Sequence, residues 1–208
     1  MMFGCRVTAL LLVLSLGACH GHRVAVAPAQ PGWRAIATPA DRTRLHDWRD
    51  AWTGALARIA AAGQTRQIAA QKALMQPDAA LADPRPPAGL YRCRTFKLGA
   101  KRPGGQDYVA YPPIPCRIAF EHDLLSFAQL GGPQRRMGLL FPGDDPSRMI
   151  FLGTMALGDE ARALEYGRDP ERDSAGLLER VAPRQWRLVL PYPSWESMLD
   201  VIELTPPG

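Results

Sequence analysis

The sequence predicts a mainly β fold with N-terminal helices, an α+β chain whose second part is a small antiparallel barrel. Residues 89–204 hold about eight short apolar or alternating runs with turn residues between them. The runs follow one another too closely for crossover helices, so we expect antiparallel pairing. Before residue 77 the apolar residues instead recur with the period of an amphipathic helix.

The N-terminus has the layout of an export signal. Val7–Gly17 is an apolar core that follows Arg6, as in a secretory signal peptide. As a helix this core would rise only ~16 Å, too little for the ~30 Å hydrocarbon core of a bilayer. We therefore expect residues 1–18 to be removed as a signal peptide, whether translation starts at Met1 or at Met2.

The end of this signal resembles the lipobox of bacterial lipoproteins, Leu16-Gly17-Ala18-Cys19. The thiol of such a cysteine receives diacylglycerol, and several acyl chains such as palmitate give a lasting anchor. A chance cysteine after an ordinary signal peptide is the alternative. By resemblance to lipoprotein sorting, His20 implies delivery to the inner leaflet of the outer membrane, facing the periplasm. Residues 19–37 are then a lipidated tether, in which His20 and His22 lack the further ligands of a metal site.

Cys93 and Cys116 remain as an even pair, because Cys5 leaves with the signal peptide and Cys19 carries lipid. In an oxidising periplasm a disulfide is the expected state of such a pair. Closing a loop of ~24 residues would stabilise the fold by about 3 kcal/mol in the chain-entropy account. A metal site would need more ligands than this pair and His122 supply.

Residues 38–76 are predicted to be a helical segment packed on the barrel. Thr38-Pro39-Ala40-Asp41 offers an N-cap, a proline at the first helical position and an acid in the first turn. An apolar face follows, made of Leu45, Trp48, Trp52, Leu56 and Ile59. We expect this helix to end at Gly63 and a weaker one to run from Thr65 to Met75. The tryptophans could line a ligand shelf, but such a stripe more often docks a helix onto its domain.

Residues 77–88 are a Pro/Ala/Asp linker, and the antiparallel β domain spans residues 89–208. The predicted strands are Leu90–Leu98, Cys116–Glu121, Leu124–Leu130, Met137–Phe141, Arg148–Leu157, Leu177–Val181, Gln185–Leu190 and Leu199–Leu204. Turn residues at His122-Asp123 and Pro142–Ser147 separate two pairs of strands. An up-and-down, lipocalin-like barrel would remove exposed sheet edges, and a two-sheet sandwich is the alternative.

The richest polar stretch is Gly158–Gly176. Its candidate binding residues are Glu160, Arg162, Tyr166, Arg168, Asp169, Arg172 and Asp173. Carboxylates beside arginines could act as acid and base if one were buried with a raised pKa. Such a run more often forms a salt-bridged loop that pins one end of a barrel, and we rank that role ahead of binding and of catalysis.

Motifs for catalysis and for nucleotides are absent from the sequence. Ser174, Ser194 and Ser197 lie outside any Gly-x-Ser-x-Gly, and His46 and His122 lie outside any His-Glu-x-x-His. Leu98–Gly105 lacks the Gly-Lys-Ser/Thr of a phosphate loop and is predicted to be a hairpin loop. We expect no enzyme, no cofactor and no metal. The formal charge of +5 is spread along the chain, so nucleic acid is not an expected partner.

Several strings resemble a family of bacterial, outer-membrane-type lipoproteins known only as a domain of unknown function. They are Gly89-Leu-Tyr-Arg-Cys93, Phe151-Leu-Gly-Thr154, Tyr166-Gly-Arg-Asp169, Arg172-Asp-Ser-Ala-Gly176, Trp186-Arg-Leu-Val189, Trp195-Glu-Ser197 and Leu199-Asp-Val-Ile-Glu-Leu204. The likeness runs roughly from Trp33 to the C-terminus and carries no catalytic motif. More loosely, a lipidated barrel with one disulfide is similar in architecture to periplasmic metalloprotease inhibitors of lipocalin type.

Together these features predict a non-enzymatic binding module of the envelope, held at the membrane by its lipid. Its expected ligand is a protein partner or a small apolar molecule, which would make it inhibitor-like in the first case. The alternative is a structural or assembly lipoprotein of the outer membrane that uses the Trp48/Trp52 face. A remote alternative is a hydrolase that uses the charged residues of the 160–173 run.

Overall fold

The computed structural model describes Met1 and residues 31–207. The predictions for the signal peptide, for Cys19 and for the two histidines of the tether lie outside these residues. The described helices are Trp33–Ile36 (α1), Pro39–His46 (α2), Trp48–Ala61 (α3) and Thr65–Ala69 (α4), followed by a 3-10 helix at Lys72–Met75. The strands are Gly89–Ala100 (β1), Tyr108–Ala110 (β2), Ile114–Glu121 (β3), Leu124–Gln129 (β4), Gln134–Pro142 (β5), Arg148–Leu157 (β6), Ser174–Ala182 (β7), Gln185–Pro191 (β8) and Ser197–Thr205 (β9).

The strands close into an antiparallel barrel, which confirms the predicted fold class over the sandwich. Neighbours follow the order β1, β3, β4, β5, β6, β7, β8 and β9, and β9 pairs back onto β1. Strand β2 is not among the strands predicted from the sequence, and it has only 3 residues. This strand pairs with the end of β1 while β3 pairs with its start. Because Pro112-Pro113 separates β2 from β3, the two behave as one interrupted strand.

Apolar side chains fill most of the barrel interior. The buried residues in mutual contact there include Tyr91, Phe127, Leu140, Phe151, Leu178, Trp186, Leu188, Ile202 and Leu204. The Cys93–Cys116 disulfide lies among them and joins β1 to β3, with the two Cα atoms 5.9 Å apart. The predicted pairing of the cysteines is confirmed.

The helices cover the outer face of the strands at which the barrel closes. Trp52 has no exposed surface and packs in one cluster with Phe96 of β1, Val189 of β8 and Val201 of β9. Strands β8 and β9 are therefore buried on both faces over most of their length, and β1 is so near its C-terminal end. The run Leu188–Leu190 of β8 is continuously apolar for that reason, and does not alternate between apolar and polar residues.

The single helix expected over residues 38–63 is two helices that meet at Asp47. The backbone there leaves the helical region, with φ −90° and ψ 17°. Helix α2 contacts β7, whereas α3 contacts β1, β8 and β9. The break lets the two apolar faces follow different parts of the curved barrel wall, which the helical periodicity alone does not report.

A buried ion pair ties the helical segment to the barrel. Arg187 and Glu179 lie opposite each other on β8 and β7, neither side chain is exposed, and Nε of Arg187 lies 2.7 Å from Oε2 of Glu179. The guanidinium also donates to the carbonyls of Ala73, Leu74, Gln76 and Pro77. It stacks over Trp52 at 4.5 Å from the ring centroid. The Arg187 side chain thus contacts both the end of the 3-10 helix and Trp52 of α3.

Substitution of Arg187 by Met should lower the free energy of unfolding by about 3–5 kcal/mol, because it leaves buried carbonyls and part of a buried carboxylate without a donor. The control is Asp78→Asn, which breaks the Arg49–Asp78 pair, whose side chains are 54% and 73% exposed. That change should cost far less, because water and salt compete for an exposed ion pair. Urea denaturation measures both, and equal losses would contradict the assigned role of Arg187.

Candidate functional site

The loops at one end of the barrel, which we call the upper end, carry the predicted site residues. This end is formed by residues 101–107, 130–133, 158–173 and 192–196, which connect the strands there. The polar run predicted from the sequence is the 158–173 loop between β6 and β7. Its residues do not converge on one cleft but divide into two paired groups and two outward-facing arginines.

The first group is centred on Glu160. Nη1 of Arg172 lies 2.7 and 2.9 Å from the two carboxylate oxygens of Glu160, and Nε of Arg172 lies 3.3 Å from Asp169. The N–H of Leu157 also donates to Glu160 at 2.9 Å. This hydrogen bond and the Arg172 guanidinium hold the pKa of Glu160 below its ordinary value, the opposite of what a general acid at neutral pH needs.

The second group docks the loop onto α2. The hydroxyl of Tyr166 donates to the buried Asp41 at 2.6 Å, and Arg44 donates to Asp41 at 2.7 Å and to the carbonyl of Asp173 at 3.2 Å. Burial and the bond to Asp41 raise the pKa of Tyr166. Burial also raises the pKa of Asp173, whose Oδ1 accepts a hydrogen bond from the N–H of Gly167 at 2.9 Å.

The two remaining arginines of the run point outward. Arg168 lies 3.7 Å from Glu165, and their side chains are 73% and 85% exposed. Arg162 is exposed and lines an apolar groove on the outer face of β5 and β6, beside Ile36 and Leu139. The loop as a whole is bound to itself and to α2, which is the geometry expected of a loop that pins a barrel end.

A layer of charged side chains lies inside the barrel beneath these loops. Lys97 of β1 is paired in register with Asp200 of β9, and Arg136 reaches them from β5. Nη2 of Arg136 lies 2.6 Å and Nζ of Lys97 3.4 Å from Oδ2 of Asp200. The Asp200 side chain is only 1% exposed. Burial by itself would raise the pKa of Asp200, but the two cations hold it below its ordinary value.

Neutral groups complete the hydrogen bonds of this layer. Ser174 accepts from Nη1 of Arg136 at 2.6 Å, and Ser197 donates to Oδ1 of Asp200 at 2.5 Å. Gln129 donates to Thr95 at 3.3 Å and accepts from the backbone N–H of Arg136 at 3.0 Å. The barrel interior is therefore divided into an apolar core and a hydrogen-bonded polar layer at the upper end.

This layer reaches solvent through a recess between the 101–107 hairpin loop and the 192–196 turn. The recess has a volume of about 590 Å³ and is lined by Lys97, Arg102, Tyr111, Trp195 and Glu196, among others. Nζ of Lys97 lies 2.9 Å from Oε2 of Glu196; the lysine side chain is 11% exposed and the glutamate side chain 51%. The recess thus combines a nearly buried ammonium, an exposed carboxylate and aromatic walls.

Lys97, Arg136, Glu196 and Asp200 are not among the site residues predicted from the sequence. Lys97 and Asp200 each stand between two apolar residues of a predicted strand, and Arg136 and Glu196 lie just before predicted strands. Such positions are typical of residues facing solvent. A signal was nonetheless present, because alternate residues of a strand share one face. Lys97 has the parity of Cys93, and Asp200 that of Ile202 and Leu204, so each shares a face with these residues, although the sequence does not tell which face is the interior.

The fold and the site define a closed antiparallel β-barrel with helices docked on one side and a charged layer inside its upper end. The chain belongs to the family described as domain of unknown function DUF4893, which matches residues 33–204. That description names no activity and no lipid anchor. No curated protein and no solved structure matches the chain.

In the part of the chain that the structure describes, no three His, Cys, Asp or Glu side chains are grouped so as to hold a metal ion. Across the same residues, no helix is long and apolar enough to span a membrane.

Asp200→Asn should lower the free energy of unfolding at pH 7 by about 3–5 kcal/mol, because it leaves Arg136 and Lys97 without a buried carboxylate. The folded-state pKa of Asp200 lies below the ordinary value of 3.8. Its stabilisation is therefore present above that value and is lost as the pH falls through the folded-state pKa. Denaturation curves from pH 7 to pH 3 should show this acid-dependent loss in the native chain and less of it in the variant.

The matched control is Asp173→Asn, which also neutralises a buried carboxyl group at the upper end. Because the pKa of Asp173 is raised, its ionised form is disfavoured by folding, and its effect has the opposite sign. The variant keeps an acceptor for Gly167 and should be unchanged within about 1 kcal/mol, or more stable, at pH 7. A loss as large as that of Asp200→Asn would contradict the distinction between the two carboxyl groups.

Proposed function

We propose that this chain is a lipid-anchored protein of the bacterial envelope that binds a protein partner through the upper end of its barrel, without catalysing a reaction. The observation that carries the proposal is the recess at that end. It sets Trp195 and Tyr111 beside Lys97 and Arg102. Aromatic and arginine side chains are enriched at the centres of protein interfaces, and loops on a rigid scaffold commonly carry binding residues.

The lipid anchor rests on the sequence. The apolar core Val7–Gly17 has the length of the apolar region of a signal peptide. Leu16-Gly17-Ala18-Cys19 then places a cysteine at the acylation position. The Cys93–Cys116 disulfide supports an oxidising compartment such as the periplasm. His20 supports the outer membrane, by its resemblance to the sorting signal of other lipoproteins.

A protein partner is favoured over a small apolar ligand because of how the interior is filled. The apolar residues inside the barrel contact one another and are at most 5% exposed. A carrier of small apolar molecules needs a concave apolar cavity, whereas the recess has charged and aromatic walls.

An assembly surface on the helices and a hydrolase site in the 160–173 run draw less support from the described residues. The Trp48/Trp52 face contacts the barrel, and Trp52 is fully buried. The carboxylates that a hydrolase would use are paired, because Glu160 and Asp169 both bind Arg172. The hydroxyl of Tyr166 is bonded to Asp41.

Cys19→Ser tests the anchor. The native chain expressed in a Gram-negative host should fractionate with membranes and release an N-terminal peptide carrying acyl chains, detected by mass spectrometry. The variant lacks the thiol and should be unacylated and soluble, since one anchor of several chains accounts for the binding. Cys93→Ser is the control that should leave acylation intact. An unmodified Cys19 in the native mature chain would refute the anchor.

Affinity capture from envelope extracts tests the binding end. The double variant Arg102→Ala/Trp195→Ala alters the recess, and the control Leu90→Ala/Phe120→Ala removes side chains that are 58% and 67% exposed outside it. Proteins captured by the native chain should be retained by the control and lost, by about tenfold, with the recess variant. Identical capture by both variants would refute binding through the upper end.

A further inference from the structure

Lys97 has an exposed carboxylate as its nearest partner in the recess. Its buried partner Asp200 lies 3.4 Å away and is already engaged by Arg136 at 2.6 Å and by Ser197 at 2.5 Å. Its closer partner, Glu196, lies at 2.9 Å and is 51% exposed. An exposed carboxylate holds an ion pair weakly, because water and salt compete for both groups.

Glu196 has a backbone conformation that glutamate rarely adopts. Its φ is +64°, in the left-handed region where residues other than glycine are uncommon. The turn is held from outside by the N–H of Lys101, which donates to the carbonyl of Glu196 at 2.8 Å. The main chain is thus secured without the side chain, and the carboxylate can leave Lys97 without loss of the turn.

The charges on the wall of the recess favour an incoming anion. Lys97 and Arg102 line it, and among the described residues that line it Glu196 is the one carboxylate. Once Glu196 swings aside, two cations face the recess. Trp195 and Tyr111 lie on the same walls, where flat aromatic surfaces can pack against an apolar or aromatic group.

We propose that the recess binds a carboxylate attached to an apolar or aromatic group, and that this carboxylate takes the place of Glu196 on Lys97. Glu196 then acts as an internal competitor, whose carboxylate pairs with Lys97 when no ligand is bound. The geometry supports a carboxylate, because a carboxylate oxygen already lies 2.9 Å from Nζ of Lys97. This inference rests on the proposed function and names the group by which a partner would be recognised. The C-terminus of a protein that ends in an aromatic residue meets this description.

The probes are 3-phenylpropionate, its neutral amide, inorganic phosphate, and acetylated peptides that end in phenylalanine with a free or an amidated C-terminus. Binding to the full mature chain is followed by calorimetry at low and at moderate salt. The acid should bind and the amide should not, and binding should weaken with salt. A free-acid peptide that binds more tightly than 3-phenylpropionate points to a protein C-terminus, and the reverse order points to a free small acid. Either order agrees with the carboxylate site.

Glu196→Gln is the decisive variant, because it keeps the size of the side chain and removes its charge. It should bind the acid about threefold more tightly than the native chain. Glu165→Gln is the matched control: it neutralises an exposed, ion-paired glutamate outside the recess and should change nothing. Trp195→Ala should weaken binding about tenfold, and Lys97→Met should abolish it. If Lys97→Met fails to fold, Glu196→Gln and Trp195→Ala decide the question.

Unchanged or weaker binding by Glu196→Gln would overturn the exchange of carboxylates. Equal binding of the amide, or phosphate binding as tightly as the acid, would overturn the assignment of the ligand class. These results are separable from the proposed function. Suppose that Arg102→Ala/Trp195→Ala loses the captured proteins while Glu196→Gln binds the acid as the native chain does. That result would support the proposed binding of a protein partner and refute only the exchange of carboxylates.

Discussion

Arg187 and Glu179 occupy the place where the helical segment, the 3-10 helix and the barrel wall meet. A guanidinium with no exposed surface is unfavourable unless its N–H groups find acceptors. Burial lowers the pKa of Arg187, and the charge of Glu179 opposes that shift. The carboxylate and the carbonyls of Ala73, Leu74, Gln76 and Pro77 supply the acceptors, and these bonds anchor the segment to the barrel wall. Trp52 lies under the same guanidinium, and the placement of α3 follows.

The docked helices have a consequence for the barrel interior. They bury the outer residues of β1, β8 and β9, among them Phe96, Val189 and Val201. The side chains of Lys97 and Asp200 point inward from β1 and β9, so their charges must be neutralised inside the barrel. Lys97 and Asp200 pair across β1 and β9, and Arg136 completes the charge balance from the far wall. This closes the upper end of the apolar core with hydrogen-bonded groups.

The proposed binding function belongs to the upper end and not to a cavity within the barrel. The two sides of that end differ. On the α2 side the 158–173 loop satisfies its own charges, with Arg172 on Glu160 and Tyr166 on Asp41. On the other side the exposed Glu196 is paired with the nearly buried Lys97. The first side gives the end its shape, and the second leaves a charged group within reach of another molecule.

Local chemistry in the sequence determined much of this protein. The disulfide follows from the count of cysteines left in the mature chain, and the strands other than β2, the turn before Arg148 and the loop character of residues 158–173 follow from neighbours along the chain. So does the cap at Thr38, whose hydroxyl accepts from the N–H of Asp41. The tertiary structure alone decided the closure of the sheet, the break at Asp47 and the inward direction of Lys97, Arg136 and Asp200. The reason is that a period of two reports that side chains alternate, but not which face is interior once helices bury the other.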